Sequence, residues 1–460
     1  MNKISEISIE GLHDTQNYSI NFSDNRMIIV GENGSCKTTI FRMIYFLLTR
    51  NWDSLASLPF EAITVKFLSD KKSQVLRRDL QTALEISRRH MPYMMHFLGR
   101  HLSGEDTVEH QQRSPISDVI KLSKTLSKSE LERGHYARAF IDEKVLNDEA
   151  IQRLKNAQKA IEENFDATIL YMPTYRRIEE PLEKIFPLLN KEDKENLRKK
   201  MDTNIAMELV EFGMGDVEKA ISDYQTKIKE FLRTQQNELT LGYLNEIIDK
   251  KYEKTDIMKD VAKLPDDVIG DVLKRMDENI LPKKQKDKIT DMIAKMKEAE
   301  DTDVSVENKI IFQYFLELMD LDKRIREAEE PLLRFAETCN EYFTNKSMKY
   351  DNQNFGISIN MHKENHSIAN EQIKLQDLSS GEKQIASLFG LLNLNQDKNF
   401  FVLIDEPELS LSVKWQRRIL VDIINSHNCV GLFAATHSPF IFDNELEPYV
   451  HGINEFLSED

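Results

Sequence analysis

The chain has 460 residues, 40% apolar and 30% charged, which is the composition of a folded globular protein of two or three domains and argues against an all-β or disordered chain. Glycine (15) and proline (12) are scarce, which favours helix, and no run approaches the roughly 18 apolar residues of a membrane span. A net charge of −16 argues against blanket binding to nucleic acid or anionic membranes, although a local basic patch escapes that sum.

In chain order, the first fifty residues read as three strands and a helix. Ile7 and Ile9 alternate with polar residues, as do Tyr18, Ile20 and Phe22, the period of half-buried strands. "RMIIV" is a continuous apolar strand of the kind buried on both faces, and it runs into Gly31. "TTIFRMIYFLL" predicts a buried helix, and "ITVKFL" with "SQVLRRD" a hairpin. Residues 81–165 are polar and helical, with a soft patch at "SGEDTVEHQQRSP", and "ATILYMPTYRR" predicts a strand returning to a core. Residues 180–345 are again helical. Val217, Ile221, Tyr224, Ile228 and Phe231 repeat at spacings of 4, 3, 4 and 3, a seam too short for a rod and suited to a helical hairpin, with Asp216 placed to cap it. Ile311, Phe315, Leu318 and Ile325 mark another long helix, interrupted on that face by Asp322. After residue 345 come the alternation of "FGISINMH" and the apolar strands "FFVLI" and "VGLFAATH".

"GENGSCKTT", Gly31 to Thr39, matches the phosphate-binding pattern G-x-x-x-x-G-K-[ST] except at Cys36. Such a site needs backbone N–H groups curled around phosphates, a helix N-terminus, a lysine and a magnesium-binding hydroxyl. Gly31 to Gly34 supply the curl, Lys37 the charge and Thr38 the metal ligand; Glu32, Asn33, Ser35, Cys36 and Thr39 complete the nucleotide-binding candidates. Alone, the stretch reads equally well as a strand-to-helix turn. "FFVLIDEPELSLS" ends an apolar strand in Asp405 and Glu406, which puts two carboxylates at the carboxyl edge of a parallel sheet. Asp405 is suited to magnesium and Glu406 to polarising water. "LSSGEKQ" offers a hydroxyl, N–H groups and a positive helix end to an anion, or else a plain serine N-cap with Glu382 in the first turn. His437, in "AATHSPF", sits just past an apolar strand.

The order of these pieces, with Gly381 24 residues before Asp405 and His437 31 residues after Glu406, resembles the ATP-binding-cassette and SMC class of ATPases. The resemblance implies an α/β P-loop head assembled from both chain ends, with helical, short coiled-coil insertions, and with ATP and magnesium as cofactors. It implies two ATPs sandwiched in a head-to-tail homodimer that is open to higher homo-oligomers. Ser379, Ser380, Gly381 and Glu382 would then form the signature acting in trans, Thr38 and Asp405 would hold the metal, and Glu406 and His437 would orient the attacking water. The domains expected are 1–80 (N-terminal ATPase lobe), 81–165 (helical insertion), 166–180 (strand return), 181–345 (helical domain) and 346–460 (C-terminal ATPase lobe with signature, Asp405-Glu406 and His437). "EPELSL", "THSPF" and the opening "ISEISIEGLHD" resemble the OLD-like bacterial ATPases in particular. "ILYMPTYRRIE", "LSSGEKQIASLF" and "THSPFIFDNEL" look most like the stand-alone ATPases of the PARIS antiphage systems, then those of Septu. That likeness implies a scaffold that holds a separately encoded nuclease effector and releases it on sensing a phage protein. The chain stops 23 residues after His437, so no nuclease domain of its own is expected there.

Two positions depart from the pattern. A side chain at Cys36 is expected to crowd the phosphates and slow hydrolysis, or to leave a nucleotide-locked scaffold, and Ser412 stands where many relatives carry Asp or His. A glutamine-loop residue has no sequence signal. A DNA-binding repair ATPase of SMC or RecF type stays open, because "LPKKQKDK" and "RKK" could touch phosphates. A transporter does not fit insertions this large without a membrane segment. Three unpatterned cysteines and an N-terminus without a signal pattern place the chain in the cytoplasm.

Overall fold

The structure is a computed structural model and describes residues 3–32, 34–101, 115–117, 119–120, 148–172, 206–208, 213–250, 261, 264–275, 281–298, 305–352, 354–362, 368–395, 398–409 and 411–458. The chain divides into two compact units, Met1–Phe212 with Gln396–Asp460, and Gly213–Asn395.

The first unit begins with β1 (Ile4–Leu12), β2 (Gln16–Asn21), β3 (Arg26–Val30), α1 (Lys37–Leu48), α2 (Trp52–Ala56), β4 (Ala62–Phe67) and β5 (Lys72–Leu76). It continues through α3 (Arg77–His101), α4 (Glu149–Asn164), β6 (Thr168–Met172) and β7 (Ala206–Glu208). The antiparallel sheet runs β2-β1-β4-β5. The expected hairpin strand "SQVLRRD" stops at Leu76, and Arg77 already opens α3. Apart from Pro115, the soft patch at 103–115 lies outside the described residues, as does the "PTYRR" end of the returning strand and the "RKK" at 198–200.

The second unit holds α5 (Met214–Ile248), α6 (Asp266–Arg275), α7 (Lys283–Glu298), α8 (Val306–Tyr342), β8 (Lys346–Asp351), β9 (Gly356–His362), β10 (Ile368–Ile373) and α9 (Ser380–Leu394). The three strands form an antiparallel sheet, β10-β9-β8. The seam of α5 is buried at Val217, Ile221, Tyr224 and Ile228. Asp216 sits in the first turn and not at the cap, and its carboxylate reaches back to accept the Gly213 N–H at 2.9 Å. Asp322, the polar break in the α8 stripe, is buried because Arg326 Nε (2.7 Å) and Arg275 Nε (3.0 Å) meet it there; Arg275 also pairs with the fully buried Glu329. A buried carboxylate left unpaired would be far more costly than this cluster. The expected boundary at 345/346 falls inside this unit, because β8 and α9 pack with α8 and the chain leaves only at Asn395.

The chain then returns to the first unit with β11 (Phe400–Asp405), α10 (Val413–Ile424), β12 (Cys429–Thr436) and β13 (Val450–Gly452). These complete a six-stranded sheet, β13-β3-β12-β11-β6-β7, whose pairings are all parallel. Both chain ends therefore contribute neighbouring strands. Every residue of β11 is buried, as a strand covered on both faces requires. Gly431 lies between the two outer neighbours of β12: a Cβ there would stand 2.4 Å from Asn25 Nδ2 and 2.6 Å from Phe401 Cδ2. α1 lies on the sheet, with Phe41 stacked on Phe433 (5.1 Å) and Tyr45 on Tyr171 (4.2 Å).

Candidate nucleotide-binding site

The register of the parallel sheet builds the site. Asp405 pairs with Ala435 and Thr436 with Val30, so β3, β12 and β11 end level with one another. The three segments that leave those ends carry Gly31 to Thr39, His437 and Glu406. This is the carboxyl edge, where parallel sheets bind ligands.

Gly31 has no room for a side chain, since a Cβ would lie 2.9 Å from both Ile453 Cγ2 and Ser35 Oγ. Ser35 closes the turn by donating its hydroxyl to the Glu32 carbonyl at 2.7 Å. Gly34 has φ 84, and Asn33 lies outside the described residues. Lys37 folds back over the loop, and its Nζ donates to the Gly31 and Glu32 carbonyls at 2.7 Å each and to Ser35 Oγ at 3.2 Å. Burial pulls the Lys37 pKa down, against the pull of Asp405, Glu406 and Glu408. Thr38 is exposed at the helix start and donates its hydroxyl to Asp405 Oδ2 at 3.2 Å; Thr39 follows, half-buried.

Cys36 departs from the motif, and the departure bears on its backbone. It is the N-cap of α1 with φ 62 and ψ 7, the left-handed conformation a glycine would supply, and its side chain packs against the hydrophobic core. A non-glycine residue in this conformation costs about 1–2 kcal/mol, partly offset by a half-buried sulfur packed on the core. Cys36→Gly is expected to leave nucleotide affinity within about threefold, whereas Cys36→Val, whose branched side chain opposes this backbone, is expected to lower it tenfold or more. Titration with a fluorescent ATP analogue checks both, and equal affinity in the valine variant would overturn this account.

Asp405 is 3% exposed at the end of β11. Glu406 turns away with φ 51 and donates its N–H to the Ala435 carbonyl at 2.8 Å. Burial, then Asp405 and Glu408, raise its pKa; His437 and Lys37 work the other way. Strained backbone at such a residue is a recurring property of functional sites. His437 is exposed, but its backbone is held: its N–H donates to Glu408 Oε1 at 2.8 Å. Glu408 escaped the sequence reading, although an acid two residues beyond Glu406 was its visible signal. Ser412 caps α10, its hydroxyl accepting the Trp415 N–H at 3.4 Å.

In the second unit, Ser379 caps α9. Its N–H and hydroxyl both donate to Glu382 Oε2 at 2.8 Å, and Lys346 Nζ reaches the same oxygen at 2.7 Å. The Ser379–Glu382 capping box read as the plain alternative is therefore present. Burial would raise the Glu382 pKa, but Lys346 and Ser379 outweigh it and leave it lowered. A depressed carboxyl contributes stability above its unfolded pKa and loses it as the pH falls through the folded one. Lys346→Gln should therefore lower the melting temperature at pH 7 by roughly 3 °C, with the gap closing below about pH 4. A gap independent of pH would show that the lysine acts through packing alone. Ser380 is exposed at the first helical position, Gly381 beside it is half-buried, and the Ser380 hydroxyl has no intramolecular partner among the described residues.

These residues fit magnesium-bound ATP. The glycine-walled loop suits phosphates, and the Thr38–Asp405 pair is the oxygen donor set magnesium takes, with few protein ligands beside the phosphates. No group of three or more His, Cys, Asp or Glu among the described residues could hold a different metal, and no described helix is long and apolar enough to cross a membrane. Bound magnesium would neutralise charge developing on the phosphates; Lys37 would add a second positive charge, and Glu406 would take the proton of the attacking water.

Comparison with known proteins agrees at the level of the family. Among solved structures, the Smc head domain with an extended coiled coil bound to the C-terminal domain of ScpA, from Pyrococcus furiosus, is 12% identical, with a TM-score of 0.31 over 96% of this chain and 91% of that one. The Smc head domain with a coiled coil and joint from Pyrococcus yayanosii is 15% identical, with a TM-score of 0.27 over 96% and 93%. Likeness this loose fixes nothing about ligands or partners. No curated protein matches the chain. The AAA ATPase domain family matches residues 2–442, nearly the whole length, and the chain belongs to that family.

Proposed function

We propose that the chain is an ATP-driven switch that closes head to tail on a second copy, hydrolyses ATP at Glu406 and His437, and serves in bacterial antiphage defence as the scaffold for a separately encoded nuclease. The observation that carries the enzymatic half is the convergence of Lys37, the Thr38–Asp405 pair, Glu406 and His437 on one sheet edge. The signature role of Ser379, Ser380, Gly381 and Glu382 in trans is supported by the exposed, unpartnered Ser380 hydroxyl at the start of α9. The defence role is supported by the sequence likeness to stand-alone ATPases of PARIS and Septu type. Expression together with the neighbouring gene tests it. The expected result is a stable complex with a nuclease-sized partner that is toxic once a phage protein releases it. Purification of the chain alone, with a non-toxic neighbour, would sink it.

A DNA-binding repair ATPase is the second reading, and it rests on α7. That helix buries Ile289, Met292, Ile293 and Met296 and exposes Lys283, Lys284 and Lys288. Duplex binding that weakens steeply with salt would favour it, because each phosphate contact releases counterions.

A further inference from the structure

We propose that Glu408 is a positioning residue for ATP hydrolysis, one carboxylate that grips the strand end carrying His437 and holds it against the turn carrying Glu406. The inference rests on the reading of this site as an ATPase centre. Glu408 uses its two oxygens on adjacent residues of that strand end. Oε2 accepts the Thr436 hydroxyl at 2.7 Å, and Oε1 accepts the His437 N–H at 2.8 Å. Thr436 is fully buried, and its Oγ1 in turn accepts the Ser438 N–H at 3.0 Å. Three consecutive residues centred on His437 are thus fastened through one side chain. The Ser438 hydroxyl donates to Gln416 Oε1 at 2.8 Å, and Gln416 Nε2 donates to the Leu411 carbonyl at 3.0 Å.

The other end of the clamp is equally short. Glu408 stands two residues after Glu406, in a turn where the Leu409 N–H donates to the Glu406 carbonyl at 3.2 Å and the Leu411 N–H to the Glu408 carbonyl at 3.1 Å. The Glu406 N–H is itself bonded to Ala435, one residue before Thr436. Glu406 and His437 therefore belong to one hydrogen-bonded assembly. The imidazole of His437 is exposed, so the bonds to its backbone N–H and to its two neighbours are what restrict where it can stand. Charge-assisted bonds of this kind are roughly twice as strong as neutral ones. Placement within an ångström is what near-attack geometry demands.

Steady-state ATPase of the full chain tests the proposal. Glu408→Ala is expected to lower kcat on the order of 10- to 100-fold, with KM for ATP within about twofold. Glu408→Gln keeps an acceptor for the His437 N–H and holds Thr436 Oγ1 through a reversed bond, the amide NH2 donating where the carboxylate accepted, so it is expected to return kcat to within about threefold of the parent. Thr436→Val removes one arm of the clamp and should fall between them, and it carries the test with the glutamine variant if the alanine variant does not fold. In a His437→Ala background, Glu408→Ala should cost little more, because its effect runs through His437. A full additional loss in the double variant, or unchanged kcat in both Glu408→Ala and Thr436→Val, overturns the proposal. A different failure marks the underlying reading: if Glu406→Gln hydrolyses ATP as fast as the parent, the site is not the ATPase centre, and the inference falls with it.

Discussion

Glu406→Gln should bind MgATP at least as tightly as the parent and lose turnover by 10²-fold or more. The backbone at this position does not depend on the side chain, since its N–H is bonded to the Ala435 carbonyl. The amide is isosteric, so the turn that follows β11 is expected to survive. What disappears is the basic oxygen. The carboxyl pKa is raised by burial, then by Asp405 and Glu408, which makes it a better proton acceptor than an exposed glutamate. General bases contribute roughly 10²- to 10⁴-fold to rate. Binding should not suffer, because removing one negative charge beside Asp405 and Glu408 relieves repulsion toward phosphates. The variant therefore separates binding from chemistry and should accumulate in the closed ATP-bound state. Fluorescent-nucleotide titration, phosphate release and size measurement with MgATP check the three parts. Turnover within about twofold of the parent, with binding intact, would remove Glu406 from its role.

Much of this site was legible because its signals are local. β3 and β11 are unbroken apolar runs, and each delivers its functional residues within a few positions of its end. The level ends of the strands follow from sheet register, which only folding displays. Glu408 was hidden for that reason, as its partners Thr436 and His437 lie 28 and 29 residues away. Asp322 looked like a fault in an apolar stripe because its partner Arg275 comes from another helix. The sequence pattern changes from helical to alternating at 345/346, which suggests a boundary there. Period reports the type of an element and says nothing of the neighbour it packs on, and β8 to β10 belong with the helices before them. Cys36 was the converse case: one letter broke a motif while the backbone kept the conformation that the motif encodes.

Head-to-tail closure, as proposed, leads to an outcome that no single-chain site can imitate. Ser380→Arg should fold and bind ATP normally, yet lose nearly all turnover. The start of α9 is fixed by Ser379, Glu382 and Lys346, none of which is altered, and position 380 is exposed. Arginine is a good helix former, so the melting temperature should hold. Lys37 and its loop lie elsewhere in the sequence and are untouched, so the nucleotide should still bind. A bulky charged side chain at the position proposed to meet the γ-phosphate of a second copy would spoil the one composite site it enters. Lys37→Ala should fail for the opposite reason, keeping its signature and losing the phosphate charge. Mixed together, each variant repairs one of the two sites: the loop of the Ser380→Arg chain meets the intact signature of the Lys37→Ala chain. With random exchange, half the dimers are mixed and each holds one complete site, so about a quarter of parental activity should return. Recovery that rises and falls with the mixing ratio, peaking at equal amounts, would establish the composite site. No recovery, with exchange of subunits demonstrated by labelled chains, would mean that Ser380 acts on the nucleotide of its own chain or on none.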